Sequence, residues 1–157
     1  MPVNVSEMMQ TSKPDLHGLQ MLQDPRKYSP MEIRMGIQEL AANNNMVMAQ
    51  ALTDAALALY PDSPDLLAMA GLMALASEDW GDAIELLQQL LNIQGSQAPV
   101  MTYRMLVRAL RCNLEPARAQ RILMQGLQAW PNDADLLSEK DIFFEGPAVM
   151  PSPSGIN

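Results

Sequence analysis

Between residues 30 and 144, apolar side chains recur at intervals of three and four positions and are separated by short polar breaks. This spacing is typical of amphipathic helices, each of which buries one face. Start signals agree, since Ser29, Pro30 and Glu32 combine a capping residue, a proline at the first helical position and a capping-box glutamate. Ser63 and Pro64 repeat the cap and the proline. The pattern predicts helices near residues 30–43, 46–59, 64–77, 80–92, 100–112, 116–129 and 134–144.

The chain also repeats itself at an interval of about 34 residues. Segment 61–67 (PDSPDLL) returns as 131–137 (PNDADLL), a distance of 70 residues, or two periods of 34 plus two. Ala83 has counterparts in Ala49, 34 residues earlier, and in Ala119, 36 residues later. The two additional residues fit in the connection between the second and third repeats, where an insertion costs little. The period predicts three consecutive helix–turn–helix repeats.

These repeats resemble the tetratricopeptide repeat (TPR) family. The second repeat carries small and apolar residues at that family's helix-packing positions, and prolines stand at its end-of-repeat position. The matching residues are Leu67, Ala70, Gly71, Ala74, Ala83, Leu87 and Leu90, with Pro61 and Pro131. The chain departs from the pattern at Ile37 and Val107, where the family has glycine, and at Gly95, where the second repeat lacks the proline. The resemblance implies an all-α fold, an α-solenoid of about three TPR-like repeats over residues 29–144.

The two ends of the chain differ from the repeats. Residues 1–28 are predicted to form a partly ordered N-terminal extension, with a short helical stretch between Leu16 and Leu22. Residues 145–157, rich in proline and serine, are predicted to form a disordered tail because they cannot bury a core. The helix near 134–144 is expected to be a C-terminal cap that covers the open face of the last repeat. Its covering residues would be Leu136, Leu137, Ile142, Phe143 and Phe144.

Charge and composition narrow the classes of partner. Eighteen acidic residues against ten basic ones give a net charge of −8, which disfavours nucleic acid and anionic membrane. No apolar run reaches the roughly 18 residues of a membrane helix, so we expect no membrane insertion. The N-terminus lacks the basic and apolar regions of a secretory signal, and the simplest expectation is a cytoplasmic protein. Fourteen methionines supply flexible apolar side chains that suit adaptable binding surfaces and also fill core gaps.

Candidate catalytic and metal-binding residues are scarce. The single cysteine, Cys112, excludes an internal disulfide, and the single histidine, His17, excludes a multi-histidine metal site. We interpret His17 as a surface residue and Cys112 as a partly buried, inert thiol; the alternative is a thiol made reactive by nearby arginines. Acidic pairs such as Asp79 and Asp82 are interpreted as helix caps. We therefore expect a protein that is not an enzyme and that needs no metal or cofactor.

The resemblance to TPR proteins implies a concave groove lined by the first helix of each repeat. Its groove-facing positions are Arg34, Gln38 and Ala41 in the first repeat, Ala68, Leu72 and Leu75 in the second, and Arg104, Arg108 and Arg111 in the third. The three arginines follow i, i+4, i+7 spacing, which places them on one helix face. An apolar floor with a basic end suits an amphipathic or extended partner segment that carries carboxylates. Alternatively, the arginines form a solvated face that pairs with the protein's own acidic residues.

Two functions follow from this groove and remain alternatives. The first is an adaptor or chaperone that holds a segment of another protein. Small, acidic, three-repeat proteins of this build are similar to the chaperones and accessory proteins of bacterial type III secretion, which hold translocator or needle subunits before export. The second is a structural subunit of a larger assembly, or a self-oligomerising scaffold, that uses its terminal repeats for stacking.

Overall fold

The computed structural model describes residues 17–145 of the chain. The predicted disordered tail, apart from Glu145, and the first sixteen residues of the predicted extension lie outside this range. The described helices are α1 (His17–Met21), α2 (Pro30–Ala42), α3 (Met46–Leu59), α4 (Pro64–Ala76), α5 (Trp80–Gln94), α6 (Val100–Cys112), α7 (Pro116–Ala129) and α8 (Ala134–Glu145). Short 3-10 turns at Pro25–Lys27 and Gly95–Gln97 lie between some of them.

All regular secondary structure in residues 17–145 is helical, with no strand, which confirms the all-α prediction. Each of the seven helices predicted between residues 30 and 144 begins and ends within two residues of the observed bounds. The helical stretch expected between Leu16 and Leu22 corresponds to α1. None of these helices combines the length and the apolar character that crossing a membrane would require.

Three turns between helices share one backbone geometry. Asn44, Glu78 and Leu114, each the second residue after a helix, have positive φ angles of 60°, 59° and 59°. The following residue donates its N–H to the carbonyl five positions back, as in a Schellman motif. These bonds run from Asn45 to Leu40, from Asp79 to Ala74 and from Glu115 to Leu110, at 2.8, 2.9 and 2.9 Å. The turns are 34 and 36 residues apart, so the sequence period is present in the backbone of the pairs α2–α3, α4–α5 and α6–α7.

Aromatic residues close the first and third of these helix pairs in the same way. The Tyr60 hydroxyl, just after α3, donates a hydrogen bond of 3.1 Å to the backbone carbonyl of Tyr28, just before α2. The Trp130 indole, just after α7, donates a 3.1 Å bond to the carbonyl of Ala98, just before α6. Both bonds span 32 residues. Each therefore ties the end of a helix pair to its own beginning.

The chain divides into two compact units, one up to Met69 and one from Ala70 onward. In the N-terminal unit, α1 packs on α2 so closely that a Cβ added to Gly18 would lie 2.6 Å from the carbonyl oxygen of Gly36. The Gly18 N–H donates a 3.1 Å hydrogen bond to the carboxylate of Glu39. The core of this unit includes Met21, Ile33, Ile37, Leu40, Ala49, Leu52 and Ala56. Residues 17–28 thus contribute both a helix and core contacts to this unit.

In the C-terminal unit, α6 packs between α5 and α7, and α8 packs against α7. Ala83 and Ala119, the equivalent alanines of the second and third repeats, are fully buried between helices. Gly71 marks another close approach, because a Cβ at this position would lie 2.7 Å from the Leu87 side chain. Larger residues at these three positions would overpack the seams.

Helix α8 buries less of its apolar surface than the sequence predicts. Of the five residues expected to cover the last repeat, Leu136 is fully buried and Phe143 is half-buried. Leu137, Ile142 and Phe144 are 39%, 58% and 55% exposed, so the prediction is wrong for these three. The physical reason is that, among the described helices of this unit, α8 packs mainly against α7 and meets α6 through the ion pairs of Arg104 and Arg111, which leaves part of its apolar surface uncovered.

Candidate partner-binding surface

Helix α6 separates an apolar face from a cationic one. The buried face consists of Thr102, Tyr103, Leu106, Val107, Ala109 and Leu110. The other side carries Arg104, Arg108 and Arg111, which we call the arginine face. Arg104 and Arg111 are half-buried, whereas Arg108 is exposed. Burial of the apolar positions fixes how α6 is rotated about its axis. The arginines alternate with these positions along the helix, so they lie on the opposite, outer side.

Arg104 binds the beginning of α8 through two carboxylates. Its guanidinium forms two hydrogen bonds with Asp133, one of them from Nε at 3.1 Å, and an ion pair of 2.7 Å with Asp135. Asp133 also caps α8, because its carboxylate accepts the N–H of Leu136 at 3.0 Å. The Arg104 guanidinium first, and the Leu136 N–H second, lower the pKa of the Asp133 carboxyl. The pair therefore holds an ionised carboxylate between α6 and α8.

The other two arginines of the face differ in whether they are paired with a carboxylate. Arg111 donates a 2.6 Å hydrogen bond to Glu139 of α8. Arg108 forms no ion pair with any residue in the range 17–145. Two of the three arginines thus already bind the protein's own acids, as the solvated-face alternative expects, and the guanidinium of the central one has no carboxylate partner among the described residues.

The remaining predicted groove residues lie in different environments. In the N-terminal unit, Gln38 is exposed, and Ala41 and Ala68 are half-buried. The Nε atom of Arg34 is buried there and has no hydrogen-bond acceptor among the described residues. In the C-terminal unit, Leu72 is 51% exposed. Leu75 is only 5% exposed and belongs to the core. Its assignment to a partner-contacting groove is therefore corrected, because a buried side chain offers a partner no surface.

Sequence reasoning missed two features of the arginine face. The first is Met101, which lies one turn before Arg104 and is 52% exposed, so that an apolar side chain adjoins the cations. Its spacing of three from Arg104 is a helix-face signal that could have found it. The second is the set of carboxylates on α8 and at the position just before it. Asp133 and Glu139 stand 29 and 28 residues after their arginines, a separation that only the packing of two helices explains.

The two residues considered for other chemistry show little sign of it. His17 is exposed and contacts the Tyr28 ring edge-on, with 5.6 Å between ring centroids. Cys112 is exposed, so the expectation of a partly buried thiol is wrong. It is the last residue of α6, and the core-facing positions of that turn are taken by Ala109 and Leu110. Within residues 17–145, no group of three or more histidine, cysteine or acidic residues could hold a metal ion.

Comparison with known proteins assigns no family to the chain. No protein-family model matches it, and no curated protein matches it. The likeness to TPR proteins rests on the repeated residues of the sequence. The turn geometry at Asn44, Glu78 and Leu114 follows the same period.

Proposed function

We propose that this protein is a non-enzymatic, cytoplasmic adaptor or chaperone that holds a segment of a partner protein against TPR-like helices. The observation that carries the proposal is the arginine face of α6. Arg104 and Arg111 bind carboxylates of a neighbouring helix, and Arg108 between them is exposed without an ion pair in the described chain. A face that already holds acidic side chains in this way suits an acidic partner segment at its centre.

Exposed apolar side chains support the same conclusion. Met101 adjoins the arginine face, and Leu72 is a further exposed leucine of the C-terminal unit. Methionine adapts its shape to different partners at low cost, which suits a surface that must hold a segment and then release it. An amphipathic segment would place apolar residues on Met101 and a carboxylate on Arg108.

We further propose bacterial type III secretion as the setting. The support is the general build of the chain, which combines 157 residues, a net charge of −8 and three repeated helix pairs. Chaperones and accessory proteins of that system share this build. The identity of the neighbouring genes is the most direct test, and a secretion operon is the expected result.

The binding proposal is tested by reversing Arg108. Wild-type protein and Arg108→Glu are used to capture partners from the native host, with Arg26→Glu as a control that makes the same charge change outside the repeats. We expect Arg108→Glu to capture at least about tenfold less partner than the wild type, because a charge-assisted pair becomes a repulsion. Arg26→Glu should keep it. Equal recovery by Arg108→Glu, with unchanged helicity, would contradict the proposal.

The alternative function, a structural subunit or self-oligomerising scaffold, is favoured by one feature, the exposed apolar side of α8. Ile142 and Phe144 are 58% and 55% exposed there, near the end of the helix. Light scattering of the purified protein over a range of concentrations separates the two functions. A scaffold would have the molar mass of several chains. The double variant Ile142→Glu with Phe144→Glu would then have the mass of a single chain. A single-chain mass for the wild type would favour the adaptor.

A further inference from the structure

A cleft lies between α5 and α7 in the C-terminal unit, and none of its lining residues belongs to the arginine face. It is open to solvent and has a volume of about 800 Å³, within the range of roughly 300–1,000 Å³ that ligand sites occupy. Its floor is apolar and consists of the buried residues Leu91, Tyr103 and Ile122. Its walls are polar and include Gln88 and Asn92 from α5 and Arg118, Arg121, Gln125 and Gln128 from α7.

The cleft continues toward the beginning of α5. A second cavity of about 490 Å³ shares Gln88, Asn92 and Arg118 with the first and extends to Gly81. The two together follow α5 from Gly81 to Gly95, a length of about 21 Å at the helical rise of 1.5 Å per residue. An extended chain rises about 3.3 Å per residue, so roughly six residues would fill this length.

The walls of the cleft present amide groups, which both donate and accept hydrogen bonds. The Gln88 amide donates a 3.2 Å bond to Asn92, which orders this part of the wall. Gln125 and Gln128 form no hydrogen bond with other residues of the described chain. A helical ligand could meet these amides only with its side chains, because its own backbone groups are already paired. An extended ligand offers free N–H and C=O groups along its length, and it matches the walls.

Charge gives the cleft a direction. Arg118 is compensated, because it binds Glu115 of its own helix at 2.6 Å. Arg121 is exposed and forms no ion pair with any residue between 17 and 145. Arg121 lines the first cavity, whereas Glu85 lines the second, where a further carboxylate would be repelled. In a chain of net charge −8, an uncompensated cation beside an apolar floor favours a ligand carboxylate in the first cavity, next to Arg121.

We propose that this cleft binds an extended segment of another protein, about six residues long, with a carboxylate placed on Arg121. This is a second binding surface, because it uses α5 and α7 rather than the arginine face of α6. Gln125 and Gln128 bind the backbone of the segment, and the floor around Tyr103 takes one or two apolar side chains. In recognition of this kind, main-chain hydrogen bonds supply the affinity, and the single ion pair fixes the position of the segment along the cleft.

The probe is a phage-displayed library of random eight-residue peptides, selected on the full-length wild-type chain. We expect the selected sequences to be enriched in Asp or Glu at one position. A labelled copy of the best peptide should bind Arg121→Glu at least about tenfold more weakly, and Gln125→Ala with Gln128→Ala several-fold more weakly. Arg108→Glu and Arg26→Glu should bind it as the wild type does, which separates this site from the arginine face. Thermal unfolding of each variant checks that the fold is retained.

Three outcomes would overturn the proposal. One is a selection without acidic enrichment, and another is a selected peptide that binds Arg121→Glu as tightly as the wild type. The third is a wild-type protein that self-associates while Arg121→Glu does not, because the occupant of the cleft would then be a second copy of the chain. The milder variant Arg121→Gln removes the charge without reversing it, so it still tests the role of this residue if Arg121→Glu unfolds.

Discussion

Arginine residues of α6 and α7 have the same chemistry, and their neighbours decide what each of them does. Arg104 and Arg111 bind carboxylates of α8, and Arg118 binds Glu115 one turn away. Arg108 and Arg121 have no such partner within residues 17–145. Reversing Arg104 or Arg111 would turn an attraction between helices into a repulsion. Reversing an unpaired, exposed one has little effect on stability. Arg108 and Arg121 are therefore the positions at which binding can be tested without disturbing the fold.

The backbone of Leu114 gives the first prediction at this scale. Leu114 has a φ of 59° and is 87% exposed, so it adopts a left-handed conformation without packing in return. That conformation costs an L-residue about 1–2 kcal/mol, whereas glycine adopts it freely and loses roughly 0.5–1 kcal/mol of chain entropy. We expect Leu114→Gly to raise the free energy of unfolding by about 0.5 kcal/mol. The midpoint of thermal unfolding, followed by circular dichroism, measures it.

Asn44→Gly is the matched control for Leu114→Gly. Asn44 occupies the equivalent turn with a φ of 60°. Because asparagine tolerates the left-handed conformation better than leucine, its replacement should change the midpoint much less. A lower midpoint for Leu114→Gly would mean that the leucine side chain makes a stabilising contact in solution.

At the scale of elements, α8 is attached to α6 by an ionised carboxylate, which makes the stability depend on pH. The pKa of Asp133 lies below its usual value because Arg104 and the Leu136 N–H stabilise the charged form. A carboxyl group with a depressed folded-state pKa stabilises the fold fully above its unfolded pKa of about 3.9. This contribution is lost as the pH falls through the lower folded-state pKa. Acidification below about pH 5 should therefore weaken the attachment of α8.

Asp133→Asn tests this attachment. Its amide oxygen can still accept the Leu136 N–H as a helix cap, so the substitution removes the charge and keeps the cap. We expect a lower thermal midpoint than wild type at pH 7 and a smaller fall between about pH 5 and pH 3. The control is Asp141→Asn, because Asp141 is exposed on α8 and forms no ion pair in the described chain. Its thermal midpoint should depend on pH as that of the wild type does. Identical profiles for Asp133→Asn and the wild type would show that the Arg104 pair does not form in solution.

The helices could be predicted from the sequence because their signals are local. The cap at Ser29, the proline at position 64 and the spacing of apolar residues each act within one or two turns. The ion pairs of Arg104 and Arg111 could not be predicted in this way. They join residues nearly 30 positions apart in the chain, and they depend on how two helices pack against each other. The cleft between α5 and α7 could not either. It is lined by residues that look in the sequence like ordinary solvated positions of two separate helices.

At the scale of the whole molecule, positive charge is concentrated in one stretch of an acidic chain. Five of the seven arginines lie between residues 104 and 121, whereas the net charge of the chain is −8. Three of the five, Arg104, Arg111 and Arg118, bind carboxylates of the protein itself. Arg108 and Arg121 have no ion pair within residues 17–145 and are the two cations on which the proposed contacts depend. At distances beyond these local contacts, the net negative charge of the chain dominates its electrostatic field.

This distribution predicts that the protein does not bind DNA. Affinity for duplex DNA depends on the number of phosphates neutralised, and its logarithm falls with the logarithm of salt concentration with a slope of about −0.9 per phosphate. The two unpaired arginines of this stretch account for a slope of roughly −2, and the net charge of −8 disfavours contact with further phosphates. Fluorescence anisotropy with a labelled duplex of about 20 base pairs should show no binding at about 0.15 M salt. A binding curve with a slope steeper than about −4 would require several further cations to face the duplex. Arginines that are now paired with carboxylates, or cations outside this stretch such as the exposed Lys140, would then have to contact phosphates, and an acidic protein segment would lose its place as the favoured partner.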